Sequence, residues 1–238
     1  MKAYLINLDR SPGRLAEADA QLRAAGVAYE RVPAVDGRAL GAAERRRAAN
    51  RLRFRLIYGA WPDAGTIGCA LSHQAVYARM DAAGVPLALV FEDDVAIPDP
   101  GRFRETVEAV ARMDDPAVPT AWRLERRPQD PPDGDGGFRP AVHGTCGACA
   151  YAINLAGARL LMRLNEAPIV ALADDWARFA RLGLRALTAC RAPCRESGAA
   201  STIGGASRRR PAWRVAAWRL LRALGRAVDA CLIPLTGR

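Results

Sequence analysis

The chain has 238 residues, half of them apolar and a quarter charged, enough for one substantial packed core or two small ones and too apolar for a disordered chain. No run reaches 18 apolar residues, and the first 14 residues lack the apolar stretch and small-residue cleavage site of a secretory leader, so neither a membrane-spanning helix nor secretion is expected and the default compartment is the cytoplasm. The net charge of +10 is uneven: eight Arg against one Asp give residues 207–238 a charge of +7, leaving the body close to neutral.

Residues 3–7 form a short apolar run of strand type. Ser11 and Pro12 signal a helix start, with Ser at the cap and Pro at the first helical position. Leu15, Ala18, Leu22 and Ala25 give that helix an apolar stripe, and Gly26 ends it. Residues 28–35 read as a second strand closed by the Asp36-Gly37 turn, which makes a β-α-β unit with neighbouring parallel strands. An Arg-rich helix is expected over 42–58 and another over 67–83, the latter broken by Gly84-Val85-Pro86. The continuous apolar run 87–91 predicts a strand buried on both faces, and Glu92-Asp93-Asp94 follows at once.

Further on, 99–113 predicts a helix, 126–140 a surface loop rich in Pro, Gly and Asp, 148–154 a strand, 156–164 a short helix, 175–182 a helix capped by Asp174, and 184–189 a last strand. Alternating strands and helices without an internal repeat predict an α/β fold. Residues 211–231 predict a helix with Trp213, Leu220, Leu224 and Val228 on one side and Arg219, Arg222 and Arg226 on the other. The expected division is a domain over 1–206 and a basic amphipathic tail over 207–238 that suits an anionic lipid surface; docking of the same apolar stripe on the body or on a second subunit is the alternative.

The chemistry centres on the acids. A strand that ends in consecutive carboxylates presents them at the C-terminal sheet edge, where open α/β folds bind ligands. Clustered like charges cost stability unless a cation neutralises them, and Mg²⁺ or Mn²⁺ held by carboxylates commonly bridges to phosphates. The period of two along an extended backbone pairs Glu92 with Asp94 as metal-facing groups and turns Asp93 elsewhere. Asn7, Asp9 and Arg10 end the first strand on the same edge, with Arg14 one helical turn on, a corner suited to anionic oxygens. Ser72 and His73 lie in the helix before the acidic strand, where a lone His is ordinarily a packed or solvated residue. Asp174 and Asp175 are candidate general bases as well as helix caps, and Asp93 stays in the candidate set. Cys146 and Cys149, with Cys190 and Cys194, have zinc-like spacings but also suit small buried apolar positions.

The sequence LINLDR at 5–10 with Arg14, RVPAVDG at 31–37, GTIGCALSH at 65–73 and LVFEDDV at 89–95, continued by Gly144-Thr145, YAIN at 151–154, Asp174-Asp175-Trp176 and Ser201-Thr202-Ile203, resembles glycosyltransferase family 25. These are lipopolysaccharide and lipooligosaccharide core glycosyltransferases, related to collagen galactosyltransferases. The resemblance covers about residues 1–205 and is weakest over 99–140. It implies a GT-A-like fold with a Rossmann-like, mostly parallel sheet flanked by helices, a UDP-hexose donor (galactose or glucose), a divalent metal (usually Mn²⁺) and inversion at the anomeric carbon. Glu92-Asp93-Asp94 then stands for the family's metal motif. Asn7, Asp9, Arg10, Arg14 and Asp36 fall in its nucleotide-side segments, and Ser72 and His73 line its donor pocket. A lipid-linked acceptor would fit an enzyme lying peripherally on the inner face of the cytoplasmic membrane.

Three other readings keep a place. One is a non-catalytic or degenerate protein binding membrane or nucleic acid through its Arg-rich segments, although 34 Arg against one Lys in an Ala- and Gly-rich chain looks like compositional bias, and nucleic acid is not expected as a partner. Another is a nucleotidyltransferase using the same metal site. The third is a family member with weak activity.

Overall fold

The computed structural model describes residues 1–127, 130, 134, 136–142 and 144–198. The amphipathic tail 207–238 therefore lies outside the described residues. The element order is β1 (Lys2–Asn7), α1 (Pro12–Ala24), β2 (Glu30–Pro33), α2 (Ala42–Ala48), α3 (Arg51–Tyr58), α4 (Ala64–Ala82), β3 (Leu87–Glu92), β4 (Val95–Ala96), α5 (Pro100–Met113), β5 (Thr120–Arg123), β6 (Glu125–Arg126), β7 (Phe138–Pro140), β8 (Ala150–Asn154), α6 (Leu155–Asn165), α7 (Trp176–Arg181), β9 (Arg185–Ala189) and β10 (Cys194–Glu196).

The central sheet has the order β2-β1-β3-β8-β5-β9-β7. Strands β2, β1, β3, β5 and β9 run one way and β8 and β7 the other, so the expected mostly parallel α/β sheet is what the chain builds. Strands β4, β10 and β6 form a small second sheet. Alternation along the strands divides the core into two layers. Tyr4, Ile6, Val90, Tyr151 and Ile153 pack on the side of α4, α6 and α7, against Val76, Met80, Leu161 and Trp176. Ala3, Leu5, Leu89, Phe91 and Trp122 pack on the other side against Ala18 and Leu22 of α1 and Phe103 and Val110 of α5.

Local chemistry sets the boundaries. Helix α1 starts on Pro12 and stops where Gly26 takes φ +72°, with Val27 N–H donating to Leu22 O at 2.8 Å, a left-handed glycine stop. Helix α4 begins three residues before its predicted start because the Asp63 carboxylate accepts from Thr66 N–H at 2.7 Å.

The single helix expected over 42–58 is two helices. Asn50 opens the second by accepting from Arg53 N–H at 3.0 Å, while its own N–H donates to Ile169 O at 2.9 Å. Those bonds draw Ala49 into a bridge with Ile169 that a continuous helix could not make. Asp175, not Asp174, caps α7, accepting from Arg178 N–H at 3.1 Å. Strand β5 was not expected, although it lies in the middle of the sheet with all four residues buried. Within the predicted loop 126–140, Phe138–Pro140 adds an edge strand to β9.

Candidate active site

The site is made where β1 and β3 end together. Parallel register pairs Ile6 with Glu92, so Asn7 and the three acids emerge at one edge. Asp93 and Asp94 lie in a turn after the strand. The two-residue alternation stops at Glu92, and all three carboxylates line one cavity. Asp93 is thus not turned away from it, contrary to the expected division. The cavity encloses about 660 Å³ including its open mouth, and Asn7, Arg10, Arg14, Asp36, Ser72 and His73 also line it.

Each acid has different surroundings. Glu92 Oε1 sits 3.0 Å from His73 Nε2 and 3.6 Å from Cys69 Sγ. Burial opposes its charge, but the His73 and Cys69 contacts hold its pKa below the ordinary value. Asp93 accepts from Asn7 Nδ2 at 2.7 Å and pairs with Arg14. Asp94 also meets Arg14, at 3.2 Å, yet its Oδ1 is buried without a hydrogen-bond partner. Burial, reinforced by the Glu92 charge, pushes its pKa up to about 7.

The opposite wall is backbone. A Cβ on Gly37 would lie 1.8 Å from Ala64 O, and one on Gly68 2.4 Å from Val35 O. Only glycines permit this approach of loop 35–37 to α4. Ser72 Oγ fastens it, accepting from Val35 N–H at 2.8 Å and donating to Gly68 O at 2.7 Å. Arg10 Nε donates to Asp36 Oδ2 at 2.6 Å, and that guanidinium holds the Asp36 carboxyl below the usual range. On the floor, His73 Nδ1 contacts Tyr151 Oη at 2.8 Å, and Tyr151 Oη contacts Tyr77 Oη at 3.0 Å. Buried in the sheet–helix core, this row fixes the imidazole plane toward Glu92.

Three of the sequence candidates lie off the lining. Asp9 is mostly exposed and pairs with Arg31 at 2.5 Å. Asp175 caps α7 and accepts from Tyr58 Oη at 2.9 Å. Asp174 accepts from Gly147 N–H at 2.7 Å. Burial raises its pKa, the Gly147 bond opposes that rise, and the Glu92 charge adds to it, so Asp174 stands within electrostatic reach of the acid cluster.

Sequence reasoning passed over Cys69, although its spacing of four from His73 puts the two on one helix face. The zinc-like cysteine spacings give no cluster: Cys149 and Cys194 belong to the apolar core. Among the described residues the one group of three or more close ligand atoms is Cys69, His73 and Glu92.

A divalent cation fits the acids by donor type. Asp94 Oδ1 is a buried oxygen without a partner, and Asp94 and Glu92 supply the one or two carboxylates that Mg²⁺ or Mn²⁺ uses when phosphates complete its shell. Arg10 from the turn after β1, Arg14 from α1 and residues 34–38 after β2 line the same space.

Comparison with known proteins agrees with the sequence resemblance. A mouse (Mus musculus) protein named inactive glycosyltransferase 25 family member 3 is 30% identical over 182 residues, covering 68% of this chain and 28% of its own. A glycosyltransferase 25 family member of Drosophila pseudoobscura pseudoobscura is 31% identical over 100 residues, covering 39% of this chain and 15% of its own. The chain spans less than a third of the length of these curated relatives. A crystal structure of the galactosyltransferase LgtC with donor and acceptor sugar analogs aligns with a TM-score of 0.44 at 14% identity, covering 94% of this chain and 95% of that one. The model of glycosyltransferase family 25 (LPS biosynthesis protein) matches residues 1–112, the stretch from β1 into α5 that contributes every lining residue of the cavity, and over that stretch the chain is similar to glycosyltransferase family 25.

Proposed function

We propose that the protein transfers a hexose, galactose or glucose, from a UDP-sugar to a glycan acceptor of the lipopolysaccharide or lipooligosaccharide type, with inversion. The match to the family model over residues 1–112 supports glycosyl transfer in general. The observation that carries the finer reading is the unpartnered Asp94 Oδ1 among three carboxylates at the end of β3, in a cavity whose other wall offers guanidinium groups and tightly packed backbone.

In this reading Glu92 and Asp94 hold Mn²⁺ or Mg²⁺, which when bound neutralises the diphosphate of the departing UDP. Asn7 and Arg14 tether Asp93 and so keep the acid-bearing turn in place. Ser72 holds loop 35–37 against α4 and keeps the nucleotide wall closed. The acceptor hydroxyl attacks the anomeric carbon from the face opposite UDP, and a carboxylate takes its proton. Asp174 suits that role best, because its raised pKa favours proton acceptance and Gly147 N–H holds its side chain in place. Asp175 is engaged as a cap and by Tyr58, and Asp93 by Asn7 and Arg14.

The test is UDP-sugar turnover with Mn²⁺ by the wild type and the Glu92→Ala/Asp94→Ala double variant. Undiminished activity in the folded double variant ends the proposal. A donor-binding protein without transfer is the second reading, favoured by the word inactive in the mouse relative's name. It predicts UDP binding with no UDP release for any donor, metal or acceptor tried.

We also propose that the basic tail meets anionic lipid on the cytoplasmic face of the membrane, beside a lipid-linked acceptor. A patch formed by α3 and the segment after it supports this: Leu52 and Trp61 are exposed, with the Arg51 and Arg55 guanidinium groups 5.0 and 4.6 Å from the Trp61 ring centre, an aromatic-cationic pairing suited to headgroups. Co-sedimentation with anionic vesicles should fall when the chain ends at Ala206, and equal, negligible pelleting of both forms excludes the membrane role.

A further inference from the structure

Cys69, His73 and Glu92 make a second set of ligand atoms on the same cavity, and it differs in kind from the all-oxygen pair at Glu92 and Asp94. The thiol, imidazole and carboxylate atoms lie within 4.8 Å of one another. The His73–Glu92 edge is 3.0 Å and the Cys69–Glu92 edge 3.6 Å. A tetrahedral zinc ion with its usual bond lengths to sulfur, nitrogen and oxygen spans ligand–ligand edges of about 3.4–3.6 Å. The triangle therefore needs adjustments of only a few tenths of an ångström on the two measured edges.

We propose that Cys69 Sγ, His73 Nε2 and Glu92 Oε1 form a binding site for a borderline divalent cation such as Zn²⁺, with the fourth coordination position open to the donor cavity. Sulfur and imidazole select Zn²⁺ or Co²⁺ over the hard Mg²⁺ and Mn²⁺. The far side of the imidazole is already held. Tyr151 Oη lies on His73 Nδ1 and Tyr77 Oη on Tyr151 Oη, so Nδ1 can carry the imidazole hydrogen while Nε2 turns its lone pair to the ion, as zinc-bound histidines require. The helix supplies rigidity, since Cys69 and His73 are one turn apart on α4.

The proton balance is simple. The imidazole hydrogen shifts from Nε2 to Nδ1 as the row of tyrosine hydroxyls reverses, the Cys69 thiol loses its proton to solvent, and one proton is released per ion. The ion also takes Glu92 Oε1, so Zn²⁺ competes with the proposed donor metal and inhibits transfer. That consequence rests on the function proposed above, whereas the site itself rests on its geometry.

The experiment is Co²⁺ titration of the full chain, read by absorption, with Zn²⁺ affinity measured by competition against a chromophoric chelator. The expected result is a thiolate-to-cobalt charge-transfer band with intense tetrahedral d–d bands, both abolished by excess Zn²⁺. Cys69→Ser should remove the charge-transfer band. Tyr151→Phe, which leaves the three ligands in place, should weaken Zn²⁺ about 10–100-fold, and Glu92→Gln should keep the band but lower affinity. Asp94→Ala should retain the cobalt spectrum even if Mn²⁺-dependent UDP release is lost, which separates failure of this site from failure of the transferase reading. Absence of the band in the wild type, its persistence in Cys69→Ser, or unchanged Zn²⁺ affinity in both Tyr151→Phe and Glu92→Gln would overturn the proposal.

Discussion

Asp94 shows how one carboxylate links stability to binding. In the unfolded chain it ionises near the ordinary aspartate value of 3.8, whereas in the fold it keeps its proton up to about pH 7. The folded state therefore binds the extra proton between these values, and stability falls as pH rises through that window and stays lower above it. Metal-free Asp94→Asn is expected to melt higher than the wild type at pH 8 and equally at pH 4, measured by thermal denaturation in chelator. The same variant should lose the Mn²⁺-induced rise in melting temperature. A lower melting point at pH 8 would show that the Arg14 contact outweighs the burial cost.

Arg123 teaches the opposite case. It is 1% exposed at the end of β5, 2.6 Å from Asp130 and 3.9 Å from Glu125, which is itself fully buried. Removing one partner of a buried pair leaves an uncompensated charge and costs about 3–5 kcal/mol. Arg123→Met should lower stability by an amount of that order in urea denaturation, and the loss should shrink in the Arg123→Met/Glu125→Gln double variant. An arginine in a sequence this rich in arginine carries no mark of burial, and for that reason β5 was not foreseen.

At the scale of elements, the contact between loop 35–37 and α4 forms one wall of the cavity, the wall proposed to face the nucleotide. A methyl group at Gly68 would strike Val35 O at 2.4 Å, whereas one at Gly13 in α1 meets nothing within 4 Å. Gly68→Ala should therefore destabilise the protein and weaken UDP binding, while Gly13→Ala should be neutral or stabilise it by up to about 1 kcal/mol. Calorimetric titration with UDP and thermal melts of the two variants check the contrast, and equal behaviour would show that the loop yields freely. The helix signals were readable element by element: Ser11-Pro12 and the left-handed Gly26 each mark a boundary found in the fold. The split between α2 and α3 was not, because Asn50 reads as an ordinary helical residue until Ile169 arrives from 119 positions away to take its N–H.

For the molecule as a whole, binding and folding are coupled through the edge where β1 and β3 end. A ligand that binds only the folded state stabilises it by about 2.7 kcal/mol at a hundred times its Kd. UDP with Mn²⁺ should raise the melting temperature more than either alone. Replacing both Glu92 and Asp94 with Ala should abolish the synergy without abolishing folding, since Glu92 is the last residue of β3 and Asp94 lies in the turn after it.

By itself the sequence determined the α/β class, the β1-α1-β2 unit and the place of the acids, because an apolar run followed at once by carboxylates can only end a buried strand at a polar edge. The family resemblance was legible for the same reason: its motifs sit in strand ends and helix starts, where local chemistry is strongest. Which atoms face which was decided by tertiary structure. The chain turns after Glu92, so the alternation that would have hidden Asp93 does not continue past the strand. Asp175 rather than Asp174 took the cap, leaving the Asp174 carboxylate to accept from Gly147 N–H and to feel the Glu92 charge. Cys69 became part of the site only when α4 packed beside β3, because a thiol, an imidazole and a carboxylate 23 residues apart are brought into one triangle by sheet–helix packing and by no local rule.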